Sequence, residues 1–363
     1  MRSAATPRSS QPVVAPAGAA CAARAKKASL SVGREGATTK VATKAVDIGD
    51  FRADGETGRI RALLIAGPTA SGKSAAALAL AQRFGATIVN ADSMQVYADL
   101  RALTARPDEV ETSLAPHRLF GEIDGSVNFS VGRWAEAARA LLEAATGPLI
   151  FVGGTGLYFR SLTEGLSDIP RVPEAVRETE RAAAEGVATP ELHARLAARD
   201  PATAERLRPS DRQRILRALE VVAATGQPLA AFQGARLPAP LAPGQWRGLF
   251  LAPERDWLYA RIASRFAAML KQGALEEAAA LARRRLDPAL PVMRAHGAPH
   301  LIAYLAGTLS LAEAEARSVA DTRHYAKRQF TWARHQMPGF AWVAPEEAES
   351  AGEEALSQAT VPH

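Results

Sequence analysis

Gly67, Pro68, Thr69, Ala70, Ser71, Gly72, Lys73 and Ser74 follow directly on the apolar run Leu63-Leu64-Ile65-Ala66 and lead into Ala75-Ala76-Ala77-Leu78-Ala79-Leu80-Ala81. Strand, glycine-rich loop and strong helix former stand in register, the sequence form of a phosphate-binding P-loop. A chance Gly/Ser turn ahead of a buried helix has no reason to carry all three. Gly67 and Gly72 let the backbone close around phosphate oxygens so that its N–H groups donate to them, and the helix N-terminus adds its positive dipole end. Lys73 supplies a point charge to the outer phosphates, and Ser74 is the expected hydroxyl ligand for Mg²⁺. The loop predicts a polyphosphate at one place in the fold without saying which.

The rest of the chain extends the same architecture. Ala86-Thr87-Ile88-Val89-Asn90 reads as a second buried strand that ends in the polar cluster Asp92-Ser93-Met94-Gln95. Residues 118–123 form a third apolar segment with the pattern of a strand. Ser130 is placed to cap a helix whose Trp134, Ala137, Ala138, Leu141 and Leu142 make one apolar stripe. Pro148-Leu149-Ile150-Phe151-Val152 is a further strand, running into Gly153-Gly154-Thr155-Gly156. This alternation predicts an α/β fold, a P-loop parallel sheet core with helices on both faces. Ligands of such sheets gather outside the carboxyl ends of the strands, so the P-loop, Asp92 and Thr155 should converge there.

Residues 168–220 carry no strand pattern and hold 10 Arg against 10 Asp or Glu, which reads as an inserted helical subdomain. The expected organisation is a tail over 1–58, a first core part over 59–167, the insertion over 168–245, the core continuation with C-terminal helices over 246–345, and a flexible tail over 346–363. Charge is unevenly spread. Residues 1–46 hold Arg2, Arg8, Arg24, Lys26, Lys27, Arg34, Lys40 and Lys44 against Glu35 alone, so of the overall +6 the tail carries +7 and the body −1. The tail reads as disordered, as a segment preceding a misassigned start, or as a targeting segment. No apolar stretch reaches the ~18 residues of a membrane span. One cysteine, Cys21, leaves no internal disulfide framework, in keeping with a reducing compartment.

Several constellations could carry chemistry. Asp92 sits at a strand end beside the phosphate site, as a Mg²⁺ ligand, a general base or an ordinary Asx turn. Arg261 and Arg265, four apart on one helix, suit a diphosphate gripped by two guanidiniums, or simply a solvated face. Over 206–217 five arginines face only Asp211. Over 317–335, Arg317, Arg323, Lys327, Arg328 and Arg334 face only Asp321, with Tyr325, Phe330 and Trp332 between them. Basic residues interleaved with rings suit single-stranded nucleic acid, and a packed amphipathic helix would look similar.

These blocks together resemble a family. Gly67 to Ser74, Asn90-Ala-Asp92-Ser93-Met-Gln95-Val-Tyr97, Ala115-Pro-His117-Arg118-Leu, Val152-Gly-Gly-Thr155-Gly-Leu-Tyr158, Asp211-Arg-Gln213-Arg214-Ile-Leu-Arg217-Ala-Leu-Glu220-Val, Arg261-Ile-Ala-Ser-Arg265-Phe and Thr322-Arg323-His-Tyr-Ala-Lys-Arg328-Gln329-Phe-Thr-Trp332 are similar, in order, to the tRNA dimethylallyltransferases, also called tRNA isopentenyltransferases. The chain departs from the family's pattern at Leu103-Thr104-Ala105-Arg106-Pro107, where many members have glycine first, and the match is loose around Arg294 to Pro299.

The resemblance implies prenyl transfer from dimethylallyl diphosphate to the exocyclic N6 amine of the adenosine 3′-adjacent to the anticodon. Gly67 to Ser74, with Arg261 and Arg265, would then bind the diphosphate, Asp92 would take the proton of the amine, and Thr155 would hold the reacting centre. It also implies tRNA contacts, on the anticodon stem-loop, from Asp92, Ser93, Met94, Gln95, Thr155, Arg177, Gln213, Arg214, Ile215, Leu216, Arg217, Arg323 and Arg328. Mg²⁺ at Ser74, a cytoplasmic setting, no membrane association and a monomer complete the expectation. The rivals are a P-loop small-molecule or nucleoside kinase binding ATP, and a non-catalytic RNA-binding protein with a relic P-loop.

Overall fold

The computed structural model describes residues 60–234 and 236–357, so the tail expected over 1–58, with Cys21, lies outside the described residues. β1 (Ala62–Ala66) passes through the P-loop into α1 (Lys73–Phe84), and β2 (Thr87–Asn90) follows. α2 (Glu109–Leu114), β3 (His117–Arg118), α3 (Val131–Ala144), β4 (Leu149–Gly153) and α4 (Gly156–Thr163) come next. Four helices are then inserted, α5 (Glu174–Ala183), α6 (Thr189–Arg199), α7 (Pro201–Arg206) and α8 (Arg212–Thr225). β5 (Trp246–Leu251), α9 (Arg255–Lys271), α10 (Ala274–Arg283), α11 (Ala298–Leu305), α12 (Leu311–Gln336), β6 (Phe340–Val343) and α13 (Ala348–Ser357) complete the described chain.

The strands form one six-stranded parallel sheet in the order β3-β2-β4-β1-β5-β6. Every residue of β1 and β4 is buried, as expected of strands covered on both faces. Ala62, Leu64 and Ala66 face a core with Trp134, Phe151, Phe159 and Phe250, whereas Leu63 and Ile65 face Leu80, Ile150, Leu251 and Leu356. Complete burial of each Leu or Ile is worth about 1.5–3 kcal/mol. A one-residue slip would exchange the two faces, so the packing holds Ala66 opposite Gly153 and Phe250. That register brings the P-loop and the turns after β2 and β4 to one edge of the sheet.

Two expectations are corrected. The strand expected over 118–123 shrinks to His117–Arg118. Leu119 and Gly121 adopt positive φ of 64° and 66°, which breaks the extended run, and Ile123 instead forms an isolated bridge with Tyr97. The flexible tail expected from 346 instead contains α13, which lays Ala348, Gly352, Ala355 and Leu356 against α1 and the sheet. Its small residues permit close approach: a Cβ on Gly352 would lie 2.4 Å from Leu80 Cδ1. Gly352→Val should therefore destabilise the fold by about 1–3 kcal/mol through overpacking, read as a lower melting temperature. An unchanged melting temperature would show that α13 contributes nothing to the core.

α5 to α8 enclose a small core of their own, Ala184, Leu192, Leu196, Ala204, Ile215, Ala218 and Leu219. An antiparallel bridge between Ser167 and Arg236 pairs the chain segments on either side of the four helices. Among the described residues no helix is long and apolar enough to cross a membrane.

Candidate active site

At the end of β1 the loop turns through Ala70 and Gly72 at φ 67° and 96° and delivers the chain to the N-terminus of α1. The first N–H groups of a helix have no intrahelical acceptor, so those around Gly72, Lys73 and Ser74 are free to meet an anion. Ser71 is fully buried and its Oγ has no hydrogen-bond partner. Lys73 folds back so that Nζ donates to the Pro68 carbonyl at 3.2 Å. Loss of water pushes its pKa down to about 8; Asp92 opposes this and Arg265 adds to it.

α9 closes the other side. Arg265 donates to Thr69 Oγ1, and Arg261 Nε donates to the Ala70 carbonyl at 3.2 Å while its guanidinium lies 4.6 Å from the Trp257 ring centroid. Desolvation pushes Arg265 down to about 10, with Asp92 countering and Arg261 reinforcing the shift. Three cations thus converge on one loop, each held by neutral oxygens. Asp92 is the acid whose charge reaches Lys73 and Arg265, while Arg261 is exposed to solvent.

The acceptor side is built from the turns after β2 and β4. Asn90 is fully buried; its Oδ1 accepts from the Asp92 N–H at 2.8 Å and its Nδ2 donates to the carbonyls of Asp92 and Leu119. Asp92 Oδ1 in turn accepts from the Met94 N–H at 2.9 Å. One oxygen therefore makes the Asx turn anticipated from sequence, and Oδ2 remains available to a substrate. Thr155 caps α4, its N–H donating to the Ala91 carbonyl at 3.1 Å and its Oγ1 accepting from the Ser93 N–H at 2.9 Å. The two turns are stitched together.

Both sides open on shared space. A cavity of about 140 Å³ is lined by Thr69, Asp92 and Arg265, by the apolar Ile262, Phe266 and Met269, and by His296 and Tyr325. A second, of about 160 Å³, runs beneath Gly67, Gly154 and Thr155 to Phe159, Phe250 and Trp332. Tyr325 borders both. Its pKa is raised by desolvation and then by the charge of Asp92, and the Tyr158 hydroxyl is raised for the same reasons. His296 packs on Tyr325 with ring centroids 4.6 Å apart; desolvation, then the charge of Arg328, pushes its pKa down and favours the neutral ring.

The residues expected to touch RNA separate into groups. Ser93 and Met94 line the Asp92 cavity. Gln95 instead donates to the carbonyls of Thr104 and Ala105, holding the loop at which the family's glycine is missing. That loop is fixed from outside too, because the Glu277 carboxylate accepts from the N–H groups of Arg101, Ala102 and Leu103. Gln213 and Arg214 are exposed on α8 and open to a partner, and Leu216 is half-buried. Ile215 is 0% exposed within the insertion's core, so its side chain cannot contact RNA in this structure. Arg177 and Arg217, with Arg181, surround the buried Glu220 at 3.8, 3.7 and 3.1 Å, so of the five arginines over 206–217 Arg217 is the one paired with this carboxylate. Arg323 lies against the Tyr259 ring with its buried Nε unpartnered, whereas Arg328 is exposed over Tyr325.

Sequence reasoning gave no role to Asn90, Glu277, His296 or Gln329, and read Tyr325 only as a ring among basic residues suited to nucleic acid. For Gln329 a signal existed. It follows Thr322 and Ala326 and precedes Ala333 on the buried stripe of α12, where a polar side chain needs a reason.

Comparison with known proteins gives the family to which this chain is similar. The family model described as IPP transferase matches residues 95–336. A tRNA dimethylallyltransferase of Methylocella silvestris is 63% identical over 295 residues, covering 80% of this chain and 97% of that protein. A tRNA dimethylallyltransferase of Methylorubrum extorquens is 61% identical over 305 residues, covering 83% and 96%. Among solved structures, the tRNA isopentenylpyrophosphate transferase of Bacillus halodurans aligns with TM-score 0.59 at 29% identity over 83% of this chain and 97% of that one. A eukaryotic dimethylallyltransferase acting on tRNA aligns with TM-score 0.67 at 25% identity over 82% and 77%.

Proposed function

The chain belongs to the IPP transferase family, and we propose that it transfers a dimethylallyl group from dimethylallyl diphosphate to the N6 amine of the adenosine 3′-adjacent to the anticodon in tRNA. The observation that carries this reading is one cavity lined both by Asp92, a carboxylate with one oxygen outside its Asx turn, and by the Arg265 guanidinium beside Thr69 of the P-loop. The family match displaces the kinase alternative.

The amine of adenine is a poor nucleophile because its lone pair is delocalised into the ring. Asp92 accepts the N6 proton as the carbon–nitrogen bond forms. The bond from the prenyl carbon to the diphosphate oxygen breaks at the same centre, and its electron pair leaves on that oxygen. Lys73, Arg265 and the N–H groups at the start of α1 face the charge that develops there. Ile262, Phe266 and Met269 offer an apolar wall to the prenyl chain, and Thr155, through Ser93, holds the Asp92 turn. The target base must leave its stack to reach this depth, and a flexible anticodon loop lowers that cost.

Ser74 fits the proposed Mg²⁺. It is exposed at the helix N-terminus, and among the described residues no group of three or more Asp, Glu, His or Cys offers a protein cage. Mg²⁺ commonly takes one or two protein oxygens together with substrate phosphates. When bound, the ion would offset charge on the diphosphate. The same reading supports a cytoplasmic setting, where tRNA is the substrate.

Incubating anticodon stem-loop RNA with labelled dimethylallyl diphosphate and Mg²⁺ tests the proposal. Label in that adenosine is expected, and ATP consumption without RNA labelling would overturn it. A pH dependence follows from Lys73. Below about pH 8 the unliganded enzyme holds Lys73 charged, and above it the charge is lost. Diphosphate favours the charged form, so binding takes up a proton near pH 8 and KM for the donor rises above it. In the Lys73→Arg variant, whose charge does not titrate in this range, that rise should flatten; an identical profile would remove Lys73 from the diphosphate site.

A further inference from the structure

Gln329 is 8% exposed, and both ends of its amide are engaged. Oε1 accepts from the Thr69 N–H at 3.1 Å, and Nε2 donates to the Gly154 carbonyl at 2.9 Å. Both partners are backbone groups of fixed polarity, so the orientation of the amide follows from them. Thr69 belongs to the P-loop after β1, and Gly154 to the turn after the neighbouring strand β4. The fit is close: a Cβ on Gly154 would stand 2.1 Å from Gln329 Nε2, so any larger residue there would displace the amide.

The two loops carry the two halves of the reaction. Thr69 accepts from Arg265 on the donor side, while the residue after Gly154 is Thr155, whose Oγ1 holds the Ser93 N–H and so the turn bearing Asp92. Thr69 is thereby withdrawn from the ring of N–H groups that a P-loop usually offers to phosphate, because its N–H points to Gln329 instead.

Resting on the prenyl-transfer reading above, we propose that Gln329 is a positioning residue that fixes the separation between the diphosphate cradle and the Asp92 turn. It adds no charge to either side. A glutamate here would accept from Thr69 but, when ionised, would set a carboxylate oxygen against the Gly154 carbonyl beside the diphosphate. When protonated, it could accept and donate as glutamine does.

The test compares single-turnover prenyl transfer in the wild type, Gln329→Met and Gln329→Glu. Methionine keeps the unbranched shape and removes both hydrogen bonds. Transfer by Gln329→Met is expected to fall roughly 10–100-fold, the scale of an ångström's misplacement of reactants. Affinity for inorganic diphosphate, read by calorimetry, is expected to stay within about 3-fold, because no phosphate-binding charge is lost. For Gln329→Glu, the rate relative to wild type should climb as pH falls from about 8 to 6, since burial raises the pKa of the new carboxyl. Full activity in Gln329→Met, a loss accounted for entirely by diphosphate affinity, or a flat pH ratio in Gln329→Glu would overturn the inference. Should Gln329→Met fail to fold, the pH ratio alone decides. A wild type that transfers no label overturns the functional reading as well, whereas an active wild type with equally active variants overturns only the role of Gln329.

Discussion

Replacing Asp92 by alanine should lower prenyl transfer by about 10² or more and leave tRNA affinity within a few-fold of wild type. The magnitude is that of a general base, and the geometry identifies the oxygen concerned. Oδ1 is engaged by the Met94 N–H, so alanine removes the base and loosens the turn together. Asp92→Asn separates the two effects, because an asparagine oxygen can keep the bond to Met94 while losing the ability to take a proton. The asparagine variant should be as slow as alanine. It should also bind diphosphate at least as tightly, since Asp92 is the acid whose charge reaches both Lys73 and Arg265. Near-normal turnover in Asp92→Asn would remove Asp92 from the base role.

The second large effect is expected at Arg265. Alanine there should lower kcat/KM for the prenyl donor by about 10²–10³, the usual loss when one donor to a developing oxyanion is removed. RNA binding should change little. Arg265 is held by a single neutral oxygen of Thr69 in the space shared with Asp92, so it has charge left to give a diphosphate. Lysine should restore only part of the loss, because it lacks the planar fork that reaches Thr69 and a phosphate oxygen together. If Arg265→Ala instead weakened RNA binding and left donor use intact, the diphosphate contact would be wrong.

Much of this arrangement was legible from residue order. The strand–loop–helix pattern around Gly67 to Ser74, and the turns after Val89 and Val152, follow from local propensity and the rule that ligands collect at strand ends. Partnerships between distant segments were not legible. Gln329 reaches Thr69 across 260 positions, and no periodicity announces that meeting. The arginines of α8 read as a nucleic-acid grip because a linear count cannot see that Arg217 turns to Glu220 together with Arg177 and Arg181 of α5. Ile215 belonged to a motif but also to the apolar stripe of its own helix, and packing decided its place. α13 was overlooked because its buried face is small residues, Ala348, Gly352 and Ala355, except for Leu356, and their contribution depends on how closely Leu80 approaches.

In prenyl transfer this P-loop holds a leaving group and needs no nucleotide. Competition calorimetry in the presence of Mg²⁺ tests it most directly, titrating the full-length chain with inorganic diphosphate and with ATP, each with and without dimethylallyl diphosphate. Inorganic diphosphate should bind and be displaced by the prenyl donor, and ATP should bind more weakly than either. Tighter binding of ATP than of diphosphate, unaffected by the prenyl donor, would contradict the account.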